Sequence, residues 1–164
     1  MKNYIIPIAL LMITPLSAQV GKATTVRKTF SRETTITEDI EAQPEQIWKV
    51  LVDAANYPKW NSTIVSIEGT IALNEKIKLV STLDEKRTFK LKVKEFIPHR
   101  KLVWGDGKGE RTFLMEPLSE DKVRFTMHEK IGGLLFPMYA KYIPPFDQNF
   151  EQFVEDLKSK VEER

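Results

Sequence analysis

Three charged residues share strand parity with large apolar ones, and they are the first candidates for chemistry. In the segment 111–115, Arg111 alternates with Phe113 and Met115. In the segment 123–129, Val123, Phe125 and Met127 lead on the same parity to Glu129. In the segment 36–40, Ile36 and Ile40 bracket Glu38. Alternate residues of a strand face the same side, so this pattern points Arg111, Glu129 and Glu38 inward. A buried charge must find a partner or shift its pKa. An arginine between two carboxylates meets that requirement. Such a cluster could orient a ligand or, with Glu129 or Glu38 as base, perform acid–base chemistry. The competing reading is a half-solvated ion pair at the sheet rim, of little energetic weight.

Other chemistries are excluded by residue type. The chain has no cysteine, which removes disulfides, thiolate ligands and thiol nucleophiles. Of its two histidines, His128 takes the outward parity and His99 follows Pro98 in a turn. No histidine-rich metal site can form, and no metal or other cofactor is expected. The serines lack a nucleophile-elbow pattern. The glycines at 105, 107 and 109 match neither a dinucleotide fingerprint nor a phosphate loop, and they read as a hairpin tip.

The elements that position the candidates follow from periodicity. With 164 residues, 41% hydrophobic and 29% charged, the chain fits one globular domain with a full core. Its net charge of +2 comes from interleaved signs, which argues against a nucleic-acid partner. β-Branched residues from Thr34 predict a first strand, and Gln43-Pro44 opens a helix with Ile47, Val50, Leu51 and Ala54 on one face. Six further strands are expected at 62–69, 76–83, 87–97, 100–105, 110–117 and 122–130. In the third of these, Phe89, Leu91 and Val93 oppose Lys90, Lys92 and Lys94. A long helix closes the chain, with Phe146, Phe150, Phe153, Leu157 and Val161 on one stripe. Between them, Gly132-Gly133 offers a hinge. The apolar run 134–142, including Phe136, Met138, Tyr139 and Tyr142, reads as a lid or a packed connector. The order strand, helix, six strands, helix predicts an α+β fold.

The first 18 residues read as a signal peptide. Lys2 precedes an uncharged run from Tyr4 to Leu16, and Ser17-Ala18-Gln19 supplies small residues for cleavage after Ala18 or Gln19. An uncleaved anchor is the alternative, and Pro7, Pro15 and the short apolar centre count against it. The expected organisation is a signal peptide at 1–18, a tether at 19–33 and a folded domain at 34–164. A bacterial periplasmic or secreted location follows, with no stable membrane span after cleavage.

Three segments carry a family resemblance. Residues 38–53, from Glu38-Asp39-Ile40 through Gln43-Pro44-Glu45-Gln46-Ile47-Trp48, resemble the opening strand and first helix of the START-related superfamily (SRPBCC). Asn56-Tyr57-Pro58-Lys59-Trp60-Asn61 resembles the segment after that helix, and Arg100-Lys101-Leu102-Val103-Trp104 resembles a mid-sheet strand. The chain is most similar to the polyketide cyclase/dehydrase and lipid-transport branch, over residues 34–162. The resemblance implies a helix-grip fold: a curved seven-stranded antiparallel sheet wrapped around the long C-terminal helix, with a cavity between. It also sets the strands of Arg111, Glu129 and Glu38 side by side.

A small hydrophobic or amphipathic ligand, lipid or aromatic, is the partner this implies. The expected ligand-binding set is Trp104, Arg111, Phe113, Met115, Phe125, Met127, Glu129, Glu38 and Tyr139. Trp104 shares parity with Leu102 and faces either core or cavity; Trp60 packs the first helix onto the sheet. Two rivals to a carrier or sensor stand open. One is a cyclase, dehydratase or hydrolase using the Glu/Arg pair. The other is an interaction protein whose cavity is filled by its nine phenylalanines.

Overall fold

Alternating apolar and polar residues over most of the chain build one antiparallel sheet, and two amphipathic segments cover its apolar side. The computed structural model describes residues 21–162. Its elements are β1 (Thr24–Lys28), β2 (Ser31–Ile40), α1 (Pro44–Val52), α2 (Tyr57–Trp60), β3 (Ile64–Glu68), β4 (Lys76–Ser81), β5 (Asp84–Ile97), β6 (Lys101–Gly105), β7 (Gly109–Ser119), β8 (Lys122–Gly132), α3 (Phe136–Tyr139) and α4 (Asp147–Glu162). Single 3-10 turns follow α1 and α3. The eight strands lie in the order β1-β2-β8-β7-β6-β5-β4-β3. The expected signal peptide at 1–18 lies outside the described residues.

Two expectations are corrected. The sheet has eight strands rather than seven, and the additional one is β1, inside the stretch expected to be a tether. Likewise β2 begins at Ser31, not Thr34. The sequence of β1, Thr-Thr-Val-Arg-Lys, carries no apolar alternation because it is an exposed edge strand paired only with β2. Its strand character comes from the neighbour's free backbone groups, not from burial.

Helix α1 starts as its sequence predicts. Pro44 stands at its first turn, and the Gln46 side chain accepts a hydrogen bond from the Gln43 amide at 3.0 Å. The short α2 sinks Tyr57 completely, and its hydroxyl donates to the Leu51 carbonyl at 2.8 Å. Burial pushes that phenol's pKa well up from its ordinary value. Helix α4 buries Phe150, Phe153, Val154 and Leu157 against the sheet. The Phe153 ring lies 5.7 Å from those of Phe113 and Trp60, and Trp60 lies 4.8 Å from Tyr57. Trp60 thus packs against α4. Backbone bulges in β3, β4, β5 and β7 add bends to the sheet.

Candidate ligand cavity

Register sets one polar row across the middle of the sheet. Trp104 on β6 faces Arg111 on β7, Arg111 faces Glu129 on β8, and Glu129 faces Thr34 on β2. Directly opposed residues lie on the same face of a sheet, so these side chains stand together. The Arg111 guanidinium donates to Glu129 Oε2 from Nε at 2.5 Å and approaches it from Nη2 at 2.5 Å. Its carbon sits 5.0 Å from the centre of the Phe150 ring on α4. Only 12% and 15% of the two charged side chains remain exposed. Charge-assisted hydrogen bonds of this kind are stronger than those of surface pairs.

Beside this pair the sheet does not close on the helical layer. A cavity of about 270 Å³ remains. Leu79, Leu83, Phe89 and Leu91 of the β4–β5 hairpin form one wall. Trp104, Arg111, Glu129 and Ile131 line the sheet side, and Phe146 lines the α4 side. Tyr139, Tyr142 and Ile143 reach it from the segment between β8 and α4. Charged groups of both signs, Asp84, Arg87, Asp106, Lys108 and Glu110, line the same cavity. Apolar walls with a few placed polar groups are the usual character of a small-molecule site.

The covering segment is held at both ends. Gly133 adopts φ 122°, a conformation that side chains disfavour, and its amide donates to the Phe30 carbonyl at 3.0 Å. The Tyr139 hydroxyl donates back to the Gly132 carbonyl at 3.0 Å. At the other end, buried Arg32 donates to the carbonyls of Ile143 at 3.1 Å and Pro144 at 2.7 Å. Its guanidinium stands 4.6 Å from the centre of the Phe146 ring. Burial, with the nearby charge of Arg27, lowers the Arg32 pKa from its ordinary value.

Of the nine expected residues, Trp104, Arg111, Glu129 and Tyr139 line the cavity. Phe113, Met115, Phe125 and Met127 do not; all four are almost fully buried in the core, where the Phe113 ring lies 5.7 Å from that of Phe153 on α4. They take the inward parity that the sequence predicts, but they fill the core instead of lining the cavity. Glu38 is also corrected. It does not share Arg111 with Glu129 but pairs with Lys158 of α4 at 2.5 Å and accepts from the Gly21 amide at 2.7 Å. Register explains this: Glu38 faces Phe125, whereas Glu129 faces Thr34, four residues away along β2. That offset is about 13 Å.

The β4–β5 wall is not among the residues the sequence singles out for the site, although Phe89 and Leu91 share one apolar parity. Neither are Arg32, Ile131 and Phe146, which neighbour it. Arg32 lies on the parity of Thr34 and Ile36, a signal that could have found it. His128 lies on the outer face, with Nδ1 2.9 Å from the Thr35 hydroxyl. Among the described residues, no group of three or more histidine, cysteine or carboxylate residues could hold a metal ion. No described helix is long and apolar enough to cross a membrane.

Residues 31–162 match the family described as polyketide cyclase / dehydrase and lipid transport. No curated protein matches the chain. Solved structures are similar in fold. One is a conserved protein of unknown function from Enterococcus faecalis, at 15% identity and TM-score 0.64, covering 87% of this chain and 78% of that one. Another is a START superfamily protein from Mycobacterium smegmatis, at 18% identity and TM-score 0.59, covering 79% of this chain and 97% of that one. CalU16 from Micromonospora echinospora aligns at 14% identity and TM-score 0.60, covering 88% of each chain.

Proposed function

The chain belongs to the polyketide cyclase/dehydrase and lipid transport family, and from that premise we propose that it binds a small hydrophobic or amphipathic molecule as a carrier or sensor. The observation that carries this reading is the apolar cavity beside the Arg111–Glu129 pair. Its 270 Å³ holds roughly nine water-sized groups. That suits a medium acyl chain or a two-ring aromatic. A chain of about nine carbons gains roughly 7 kcal/mol on burial, before the cost of its lost motion. Binding is therefore expected to be readily reversible, with the ligand's polar end toward Arg111. The proposal includes export, supported by the uncharged run from Tyr4 to Leu16.

A catalytic reading is favoured by the same pair, since a carboxylate and a guanidinium line the cavity together. Glu129→Gln separates the two. A carrier retains binding with altered affinity, whereas an enzyme with Glu129 as base loses turnover. The direct test of the carrier reading is displacement of an environment-sensitive aromatic dye by a graded series of fatty acids. Uptake of the dye, with an optimum at medium chain length, is expected. Absence of dye uptake and of any chain-length optimum overturns the reading.

A further inference from the structure

We propose that the loop tip formed by the β1–β2 turn and the α3 segment docks the protein onto anionic lipid bilayers. Leu134, Leu135, Met138 and Tyr142 are 84%, 63%, 71% and 74% exposed, far more than large apolar side chains usually are. Phe30, itself half exposed, joins them through the hydrogen bond between its carbonyl and the Gly133 amide. These residues lie on neighbouring turns at one end of the fold, and of them Tyr142 also reaches the cavity and carries Lys141 over its ring.

Charge selects the occupant. Residues 130–146 contain two lysines and no acid, and residues 21–32 contain Lys22, Arg27, Lys28 and Arg32 and no acid. Arg27 and Lys28 share a groove with Lys141 and Ala140 of the tip. Lys141 lies 4.9 Å from the Tyr142 ring centre, and Lys108 lies 5.5 Å from that of Tyr139. Arg27, Lys108 and Lys141 have no carboxylate within salt-bridge distance among the described residues. The acids close by have other partners: Glu33 is shared by Lys28 and Lys130, Asp106 accepts from the backbone amides of Lys108 and Gly109, and Asp147 accepts from the Thr25 hydroxyl. Apolar residues ringed by unneutralised cations suit the interface of a negatively charged membrane, where the first bury among acyl chains and the second face phosphates. A second copy of the chain would bring the same cations against themselves. The inference stands independently of cavity binding, although a tip seated on a membrane would bring the cavity's covering segment to a source of apolar ligand.

The test uses the full chain, which has no native cysteine. Leu134→Cys and Leu118→Cys are each labelled with an environment-sensitive fluorophore. Leu118 is also exposed, and it lies at the other end of the β7–β8 hairpin, about 30 Å away. Vesicles of phosphatidylcholine alone are compared with equal parts phosphatidylcholine and phosphatidylglycerol. The expected result is a blue-shifted, brighter signal at Leu134 on the anionic vesicles only, with none at Leu118. Arg27→Ala, Lys108→Ala and Lys141→Ala should each weaken partitioning about fivefold. Three results overturn the proposal: no response at Leu134, the same response at both labels, or partitioning indifferent to the three charges. A Leu134 response without vesicles that rises with protein concentration also overturns it, assigning the tip to a second copy.

Discussion

The two ends of the sheet's covered face are built from the same strands and differ in what fills them. At one end, Met115, Val123, Phe125 and Ile40 lie almost wholly inside, in the hydrophobic core. At the other end, the same strands supply Arg111, Glu129, Ile131 and Thr34, and a cavity remains. Each end also holds one largely buried ion pair, Lys158–Glu38 at the filled end and Arg111–Glu129 at the open one. The first ties α4 to β2, while the second lines the cavity within reach of a ligand. Depth along the strand, not parity, therefore separates core from site.

Perturbing the filled end should have the largest effect. Phe153→Ala removes a ring that touches Phe113, Tyr57 and Trp60, and it should cost about 3–5 kcal/mol in urea unfolding. A cost below about 1 kcal/mol would mean that this end is as loosely filled as the other. Next comes the ion pair at the open end. Glu129→Leu strands the Arg111 guanidinium at the cavity wall and should cost about 1–3 kcal/mol, with part of the loss recovered when Arg111 is replaced by Met as well. If the double variant is no better than the single one, the pair is not a coupled unit.

Alkaline pH probes the buried core through Tyr57. Its folded pKa is raised by burial, so above the ordinary tyrosine value near 10 the unfolded chain loses the phenolic proton while the folded chain keeps it. Stability should be intact below that value and fall as pH rises through it. Tyr57→Phe, which loses the hydrogen bond to Leu51, should cost about 1 kcal/mol at neutral pH and flatten the alkaline decline. An unchanged alkaline slope would contradict that assignment. The smallest stability effect belongs to Leu91→Trp at the cavity wall. Added volume there enters empty space, so the cost should stay under about 1 kcal/mol, below the usual cost of overpacking. Dye binding should nevertheless disappear.

The sequence makes the sheet legible because most strands bury one face. Phe89, Leu91 and Val93 against Lys90, Lys92 and Lys94 mark β5 by alternation alone. Strand β1 escapes such a reading, since an exposed edge needs no apolar residue. The Arg111–Glu129 pair is foreshadowed by shared parity and by adjacency of their strands, and register places them directly opposite. Grouping Glu38 with them fails for want of register, which parity does not contain. The cavity's limits are illegible for a similar reason. Whether Phe113 is core or wall depends on where α4 crosses, and that is fixed by packing among residues distant in sequence, such as Phe153 and Trp60.

The most direct measurement of the central claim is native mass spectrometry of the protein purified from cells, followed by solvent extraction and identification of whatever is released. A discrete adduct, small enough for the open end and lost in the Leu91→Trp variant, is the expected result. A bare polypeptide mass, together with no rise in melting temperature across fatty acids, sterols and polycyclic aromatics, would contradict the account and leave the cavity without a ligand.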